Sequence, residues 1–184
     1  MRMEEVFGDF PVLETERLFL RKISLKDVDD MFSYCSKEEV AKYVTWNAHR
    51  TISDTMEFVE FTLEQYANKK VAPWGIEYKE NGKLIGSIDF VSWQLNHKTA
   101  EIGYVLSQDY WGNGIITEAV KEVIRFGFEK MGVVRIQARC FEENAGSERV
   151  MEKAGMSFEG TLRKAMLAKG KHQNLKVYSI VKEE

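Results

Sequence analysis

The residues with the clearest chemical potential lie in one stretch, where an apolar run is followed by two glycines and an amphipathic segment. The stretch reads EIGYVLSQDYWGNGIITEA and covers residues 101–119. Its apolar run, residues 102–106, is typical of a buried strand. Gly112 and Gly114 predict a turn, because glycine reaches positive φ and lets a ligand approach the backbone closely. Apolar residues then recur every three or four positions, which predicts a helix beginning near Ile115.

A strand, a glycine turn and a helix in this order are typical of an anion site. The first turn of a helix leaves its N–H groups unpaired and carries a positive dipole potential, so a phosphate or pyrophosphate fits there. A dinucleotide fold is not favoured, because Thr117 stands where G-x-G-x-x-G needs its third glycine. No Gly-Lys-Ser/Thr follows, which argues against an NTPase P-loop. The two glycines alone fit the plain start of a helix equally well.

The elements that must position this turn predict an α+β fold in the order β-α-α-β-β-β-α-β-α-β-β. Asn81-Gly82 is a strong hairpin signal, and the strands around it predict an antiparallel meander. No linker or repeat interrupts the chain, so we expect one domain over residues 1–184, with a core of about 12–182 behind an N-terminal extension, residues 1–11. The predicted strands cover residues 12–23, 71–78, 83–93, 100–108, 133–141, 156–168 and 172–181, and the predicted helices cover about 25–35, 53–68, 115–131 and 147–154.

Composition limits the classes of function. The 26 Lys and Arg residues against 29 Asp and Glu residues give a net charge of −3, which weighs against a nucleic-acid partner. Cys35 and Cys140 form no CxxC motif and are read as free, buried thiols. The three histidines lack metal-ligand spacing, so no metal is expected. With no signal peptide and no membrane-spanning run, we expect a soluble, cytoplasmic protein without a membrane partner.

Three segments together resemble the GNAT N-acetyltransferase superfamily, and more narrowly its RimJ/RimL branch. They read TERLFLRKISLKDVDDMF, AEIGYVLSQDYWGNGIITEA and RIQARCFEENAGSERVMEKAGMSFEG. The resemblance extends from about Leu13 to Val181, and it implies a bent, mostly antiparallel sheet flanked by helices. In that fold the fourth and fifth strands splay apart and admit acetyl-CoA. Analogy with the family also suggests a homodimer.

The resemblance assigns the glycine turn to the pyrophosphate of coenzyme A. The family signature, Gln/Arg-x-x-Gly-x-Gly/Ala, departs here at Trp111 and Ile116, and Asn113 stands where a lysine is common. We expect the Ile116 side chain to turn away from the pyrophosphate toward the apolar face. Asn144 has the alternative role of a helix N-cap, and Lys153 that of a solvated helix residue. The implied coenzyme-binding residues are Val105, Leu106, Trp111, Gly112, Asn113, Gly114, Ile115, Ile116, Thr117, Asn144 and Lys153.

Acetyl transfer to an amine needs a neutral amine, a stabilised thioester oxygen and a protonated leaving thiolate. Ser147 matches the family serine suited to protonating the thiolate, although it also reads as an ordinary first-turn residue. Glu101 opens the fourth predicted strand and is the candidate base, with a surface carboxylate as the alternative. A backbone N–H near Val105 is expected to serve the oxyanion. Because no Cys-His or Ser-His-Asp set is seen, we predict direct transfer without an acyl-enzyme.

The acceptor is narrowed by acid–base arithmetic. An α-amine of pKa about 7.7–8.0 is neutral roughly once in ten at pH 7, whereas a lysine amine is neutral roughly once in a few thousand. A protein or peptide N-terminus is therefore the leading acceptor, in keeping with the ribosomal-protein acetylation of the RimJ/RimL branch. A small-molecule amine, a non-catalytic acyl-CoA-binding module and a generic nucleotide-phosphate binder remain as alternatives. Tyr43, Trp46, Trp93 and Tyr178 are candidate acceptor contacts, each with packing as the competing interpretation.

Overall fold

The computed structural model describes residues 3–183 as an eight-stranded sheet with helices on both faces. The strands are β1 (Leu13–Glu14), β2 (Leu18–Arg21), β3 (Trp74–Tyr78), β4 (Lys83–Gln94), β5 (Thr99–Leu106), β6 (Arg135–Phe141), β7 (Ser157–Ala168) and β8 (Lys171–Val181). The α-helices are α1 (Met3–Phe7), α2 (Val28–Cys35), α3 (Glu38–Ala41), α4 (Ile52–Ala67), α5 (Ile115–Lys130) and α6 (Ala145–Lys153). The predicted α+β class is confirmed, with α1 and α3 as additional short helices.

Local capping signals account for where the early helices begin. Ser24 and Asp27 form a capping box at the 3-10 turn that precedes α2, as the sequence predicts. A second capping box, formed by Thr51 and Asp54, places the start of α4 at Ile52. The predicted start at Ser53 is therefore one residue late, because Thr51 rather than Ser53 occupies the N-cap.

The first predicted strand is divided in two by a tight turn. The Thr15 N–H donates to the Leu18 carbonyl at 3.0 Å, and the chain reverses so that β1 pairs antiparallel with β2. The family's fourth and fifth strands are consequently β5 and β6 of this chain. Three residues, Thr15, Glu16 and Arg17, lie between the two strands, and the Arg17 side chain reaches Glu118 on α5.

The centre of the sheet is where the strands part. The strand order is β1-β2-β3-β4-β5-β6-β8-β7, and the β5–β6 pair is parallel whereas the other neighbours are antiparallel. The parallel ladder runs from Thr99↔Arg135 to Ile102↔Ala138. Within residues 3–183, no ladder pair joins β5 to β6 beyond that point, so the last four residues of β5 face a gap. The predicted splay is confirmed.

The helices cover the two faces of the sheet differently. On one face α5 packs closely, with the ring centroids of Phe126 and Trp74 5.5 Å apart and Gly127 against Phe90 and Ile136. On the opposite face α2 lies over β4, where Asp30 accepts a hydrogen bond from the backbone of Leu84 at 3.0 Å. Helix α4 packs on α2. The two sides of the gap therefore belong to different layers of the molecule.

The segment before β1 is part of the core. Phe7 and Phe10 are buried, and the Phe7 ring lies against Trp74, Trp93 and Phe126. The Trp74 indole also donates to the Pro11 carbonyl at 2.7 Å. The expectation of an extension outside the core over residues 1–11 thus differs from the structure for this stretch, and residues 1 and 2 lie outside the described residues.

Candidate active site

The gap between β5 and β6 exposes backbone groups of β5. Ser107 donates to the Ile85 carbonyl at 2.7 Å, which fixes the register between β4 and β5. Because the N–H and C=O groups of successive strand residues point to opposite sides, Val105 faces β4, where it pairs with Ser87. Tyr104 and Leu106 face the gap. The expected oxyanion and pantetheine contacts from the Val105 backbone therefore do not fit this register, whereas the backbone of Leu106, also predicted to contact the pantetheine, does turn toward the gap.

The glycine turn has the backbone conformation that the sequence predicts. Gly112 and Gly114 have φ of 77° and 73°, which favours glycine, and α5 begins at the next residue, Ile115. No atom outside the neighbouring residues lies within 4 Å of a Cβ built at Gly112, so the loop is open to a ligand there. Ile115 is buried and Ile116 packs partly against the core, so both side chains are engaged away from the open side.

The tip of the turn is held to the end of β5 by a tryptophan. The Trp111 side-chain N–H donates to the Leu106 carbonyl at 2.9 Å, although the residue is 49% exposed overall. The Asn113 amide donates to the Trp111 carbonyl at 3.2 Å. Thr117, in the first turn of α5, is partly buried. The replacement of the family Gln/Arg by Trp111 therefore provides a structural link between the gap and the turn.

An arginine from the β1–β2 turn supplies charge to the glycine turn. Arg17 pairs with Glu118 at 2.7 Å, and its Nη1 donates to the Asn113 carbonyl at 2.9 Å. Its Nη2 is the nearest atom, at 3.6 Å, to a Cβ built on Gly114. Burial alone would raise the pKa of Glu118, but hydrogen bonds from Thr15 and Arg17 outweigh it and hold that pKa below its ordinary value. Arg17 thus provides a cation where Asn113 lacks one.

Helix α6 and strand β5 each contribute one hydroxyl to a pair at the gap. Asn144 caps α6, with its side-chain oxygen accepting from the Ser147 N–H at 3.1 Å. The Ser147 hydroxyl lies 2.8 Å from the Tyr104 hydroxyl, so the two share a hydrogen bond. The capping role of Asn144 is confirmed, and its amide N–H group has no hydrogen-bond partner within residues 3–183. Tyr104, on the gap-facing strand, was not identified from the sequence as a site residue.

A buried thiol lies beside this hydroxyl pair. Cys140 and Cys35 are both free and buried, as predicted. Burial raises the pKa of Cys140 to about 11, only partly offset by a hydrogen bond with Ser147. At neutral pH Cys140 is therefore a protonated thiol and a poor nucleophile.

The predicted base, Glu101, is fully engaged on the other face of the sheet. One carboxylate oxygen accepts from the Gln137 amide at 2.8 Å and the other accepts from Arg139 at 2.7 Å. Both partners lie on β6, so Glu101 joins the paired ends of β5 and β6 just below the gap. Both carboxylate oxygens of Glu101 are therefore occupied by side chains of β6.

A second carboxylate on that face, Asp89, was missed from the sequence. Asp89 lies on β4 directly opposite Gly103, the first residue of β5 beyond the β5–β6 ladder. Within the described chain its carboxylate has no hydrogen bond or ion pair. Burial raises the pKa of Asp89 to about 7. The alternation of apolar residues along residues 83–93 gave the only sequence signal, a polar residue on the face that α2 covers.

The four predicted acceptor contacts lie in three different parts of the fold. Tyr43 and Trp46 both lie in the segment between α3 and α4. Tyr43 packs with Phe141 and Leu175 near the end of β6. The ring centroids of Trp46 and His49 are 5.4 Å apart. Trp93 packs against Phe7 at the opposite end of β5 from the gap. Tyr178 is 2% exposed and donates to Glu148, which leaves it no surface for a substrate.

Lys153 is the last of the predicted coenzyme contacts. Lys153 is exposed in the last turn of α6, so both of its interpretations stay open. Among residues 3–183, no cluster of three or more His, Cys, Asp and Glu side chains is arranged to hold a metal ion. None of the helices in this part of the chain combines the length and apolarity needed to cross a bilayer.

Comparison with known proteins agrees with this geometry. Residues 17–157 match the model of the acetyltransferase (GNAT) domain family. The uncharacterized N-acetyltransferase YoaA of Bacillus subtilis is 36% identical over 173 residues, which cover 94% of this chain and 98% of YoaA.

Two solved structures share the fold over nearly the whole chain. A GNAT-family acetyltransferase from Bacillus anthracis superposes with a TM-score of 0.84 at 32% identity, covering 95% of this chain and 100% of the other. The microcin C7 self immunity acetyltransferase MccE, solved in complex with acetyl-CoA and AMP, gives a TM-score of 0.81 at 27% identity, covering 91% and 93%. The splayed sheet, the glycine turn and these matches lead to one conclusion: the chain belongs to the GNAT superfamily of acetyl-CoA-dependent N-acetyltransferases.

Proposed function

We propose that this enzyme transfers the acetyl group directly to the α-amine at the N-terminus of a protein or peptide. The observation that carries the proposal is the division of chemistry across the gap between β5 and β6. The Ser147–Tyr104 hydroxyl pair lies on the face covered by α5 and α6, and the carboxylates of Asp89 and Glu101 lie on the opposite face. A thioester in the gap would have a proton donor on one side and carboxylates on the other.

The residues that would hold acetyl-CoA are those around the gap and the glycine turn. The N–H groups of the turn and of the first turn of α5 suit the pyrophosphate, with Arg17 adding positive charge. The gap-facing backbone of Tyr104 and Leu106 and the unpaired amide of Asn144 suit the pantetheine arm. Bound there, acetyl-CoA supplies an activated acetyl group as a thioester.

Direct transfer is supported by the state of the two cysteines. A covalent route needs a thiolate, but burial raises the pKa of Cys140 to about 11 and that of Cys35 to about 12. Cys35 also lies in α2, on the face of the sheet opposite the Ser147–Tyr104 hydroxyl pair. The hydroxyl of Ser147 is then free to donate its proton to the departing sulfur, with Tyr104 holding the serine rotamer.

The choice of an α-amine rests on the proton balance of the acceptor. An α-amine has a pKa of about 7.7–8.0, whereas a lysine amine has a pKa of about 10.4. Removing the proton from an α-amine at neutral pH therefore costs far less free energy. A single partly buried carboxylate such as Asp89 is better suited to deprotonating an α-amine than a lysine side chain. The resemblance to the RimJ/RimL branch points in the same direction.

A small-molecule amine is the second candidate. It is favoured by the similarity to MccE, whose structure contains AMP together with acetyl-CoA. Either acceptor would approach from the face where Tyr43 lies near the end of β6.

A single peptide distinguishes the candidates. It carries one free α-amine and one internal lysine, and its matched control has the α-amine blocked. We expect acetyl-CoA-dependent acetylation of the free peptide at its N-terminus, located by tandem mass spectrometry, and none of the blocked peptide. Turnover confined to lysine side chains or to a panel of small amines would contradict the α-amine assignment. Acetyl-CoA binding without transfer to any amine would contradict catalysis altogether.

A further inference from the structure

We propose that Asp89, rather than Glu101, is the catalytic base that takes the proton from the acceptor amine. The proposal deepens the proposed function and rests on it for the reaction, but it does not depend on which amine is accepted. It assigns the base to β4, one strand away from the strand that carries Glu101.

Asp89 lies where the gap begins. It pairs in register with Gly103, and Gly103 directly follows Ile102, the last residue of β5 that pairs with β6. A Cβ at position 103 would lie 2.9 Å from Val91 Cγ1 and 3.5 Å from Asp89 Oδ1. The Val91 side chain and the Asp89 carboxylate therefore lie directly against the Gly103 backbone, which places the carboxylate beside the first residue of β5 that borders the gap.

The two carboxylates near the gap differ in their partners. Glu101 is tied by the Gln137 amide and the Arg139 guanidinium, both from β6. The carboxylate of Asp89 has no hydrogen bond or ion pair among residues 3–183. A base must be able to accept a proton in the complex, and only the second of these carboxylates is free to do so.

The groups that face Asp89 from the elements around it leave its charge uncompensated. On β4 and β5 the neighbours on the same face are Ser87, Val91 and Gly103, with Glu101 already paired. From α4, the Tyr66 hydroxyl is committed to the Ile23 N–H and the Pro73 carbonyl. On β2, the Arg21 guanidinium is held between Asp27 and Glu77. With no cation assigned to it, the carboxylate is poised by burial, which raises the pKa of Asp89 to about 7.

The proton and bond changes balance without any further reactant. The Asp89 carboxylate accepts one proton from the ammonium form of the acceptor, and the freed nitrogen lone pair forms a bond to the thioester carbonyl carbon. The carbon–sulfur bond then breaks. The sulfur leaves with a proton from the Ser147 hydroxyl, and the serine is reprotonated by the second proton of the attacking nitrogen. Asp89 returns its proton to solvent, so the products are the amide, CoA thiol and one proton.

The test is the pH dependence of kcat for Asp89→Asn, Asp89→Glu and wild type, with any amine that the wild type acetylates. Wild-type kcat should rise with pH through about 7, since the base works only when ionised. Asp89→Asn should lower kcat by about 10²–10⁴-fold and abolish that rise, because general-base catalysis typically contributes this much. Asp89→Glu should retain part of the activity and keep a rising limb. The exposed Asp29→Asn variant, on α2, is the matched control and should behave as wild type.

Two further measurements keep the outcome unambiguous. Asp89→Asn should bind CoA as the wild type does and should be at least as stable to heat, since an amide carries no uncompensated charge. A variant with normal kcat and an unchanged pH limb would overturn the proposal, as would loss of the limb in Glu101→Gln but not in Asp89→Asn. A raised KM for the amine with unchanged kcat would make Asp89 a binding group and not a base. If only small amines react but the limb still depends on Asp89, the α-amine assignment fails and this proposal stands.

Discussion

At the scale of single residues, the site combines a hydroxyl held by two partners with a carboxylate that has none among residues 3–183. Ser147 is oriented twice, by the cap that Asn144 forms with its N–H and by the hydroxyl of Tyr104. Burial raises the pKa of the Tyr104 hydroxyl above its ordinary value, against a hydrogen bond with Ser147 that lowers it, so Tyr104 stays protonated near neutral pH. The pair can therefore hold a proton ready for a departing thiolate.

Replacing Ser147 by alanine should separate catalysis from binding. We expect Ser147→Ala to lower kcat by about 10²-fold, because general-acid assistance to the leaving group is lost, while the Kd for CoA stays the same. Stopped-flow or steady-state release of CoA thiol measures the first quantity and calorimetry the second. The exposed Ser53→Ala variant, on α4, is the control. Equal kcat in Ser147→Ala and wild type would contradict the assigned role.

Burial of Asp89 should also make the free energy of unfolding depend on pH. Burial raises the pKa of Asp89 to about 7 in the folded protein, above the value of an unfolded aspartate. Between those two values the folded chain binds a proton that the unfolded chain has lost, so this residue's contribution to stability falls as pH rises toward 7. Urea unfolding across that range should show a smaller fall, or none, in Asp89→Asn. An identical pH slope in the two proteins would show that Asp89 is not protonated in this window.

The sequence could predict single site residues only where the signal is local. Asn144 caps the helix that contains Ser147, three residues on, and that spacing is visible in one segment. Tyr104 and Asp89 become site residues through the register of β4 with β5 and the end of the β5–β6 ladder. Register is set by tertiary pairing, so a one-residue change reverses which side a group faces, as the correction at Val105 illustrates.

At the scale of elements, the glycine turn is shaped by a segment far away in the chain. Arg17, between β1 and β2, bridges the Asn113 carbonyl and the Glu118 carboxylate in the first turn of α5. Glu118 would otherwise place a negative charge near a bound pyrophosphate. Its neutralisation by Arg17 lets the start of α5 keep its positive potential.

A double-mutant comparison tests this arrangement. We expect Arg17→Ala to raise the KM for acetyl-CoA about tenfold, or about 1.4 kcal/mol, because Glu118 is left unneutralised beside the loop. Adding Glu118→Gln to that variant should recover most of the loss, since the repulsive charge is then removed. Coenzyme KM values from the same assay decide the point. A double variant as weak as Arg17→Ala would indicate that Arg17 contacts the coenzyme and that Glu118 does not matter.

A charge placed in the turn itself gives a sharper result. Gly114→Asp puts a side chain and a negative charge at a backbone φ of 73°, and should raise the acetyl-CoA KM by more than tenfold. Gly82→Asp is the matched control, because Gly82 has a φ of 68° in the β3–β4 turn and open space around its Cβ position. Both variants carry similar backbone strain, so only the first should weaken the coenzyme. Equal KM values in the two folded variants would refute the placement of the pyrophosphate.

The sequence of residues 12–182 allowed most helices and strands to be predicted, but not the long-range contacts between them. Gly82 and Gly114 give local turn signals that the structure confirms. The turn that divides the first strand into β1 and β2 contains two hydrogen bonds between Thr15 and Leu18, and the Arg17 bridge spans about a hundred residues. Neither long-range pairing leaves a periodic trace in a single sequence.

At the scale of the whole molecule, the segment that precedes β1 packs into the hydrophobic core. Phe7, on the short helix α1, is 1% exposed and fills the space between Trp74, Trp93 and Phe126. A five-residue helix has little stability of its own, so its place depends on this aromatic packing. Phe7 and Phe10 lie in a stretch too short to establish a hydrophobic period, which is why residues 1–11 were predicted to be an extension.

Truncating that ring should destabilise the fold more than the site. We expect Phe7→Ala to lower the free energy of unfolding by about 3–5 kcal/mol, the usual range for a buried phenylalanine. Val12→Ala, at a position that is 64% exposed, is the control and should change it by less than about 0.5 kcal/mol. Urea titrations of both variants measure the difference. A small effect of Phe7→Ala would mean that the segment only rests on the surface.

We propose that acetyl transfer takes place in the gap between β5 and β6. A crystal structure with bound CoA measures this directly. We predict the pyrophosphate against the backbone of residues 112–117, the pantetheine arm along Tyr104 and Leu106, and the thiol within hydrogen-bond reach of the Ser147 hydroxyl, with Asp89 on the far side. Coenzyme bound elsewhere, or a thiol end remote from both Ser147 and Asp89, would contradict the account.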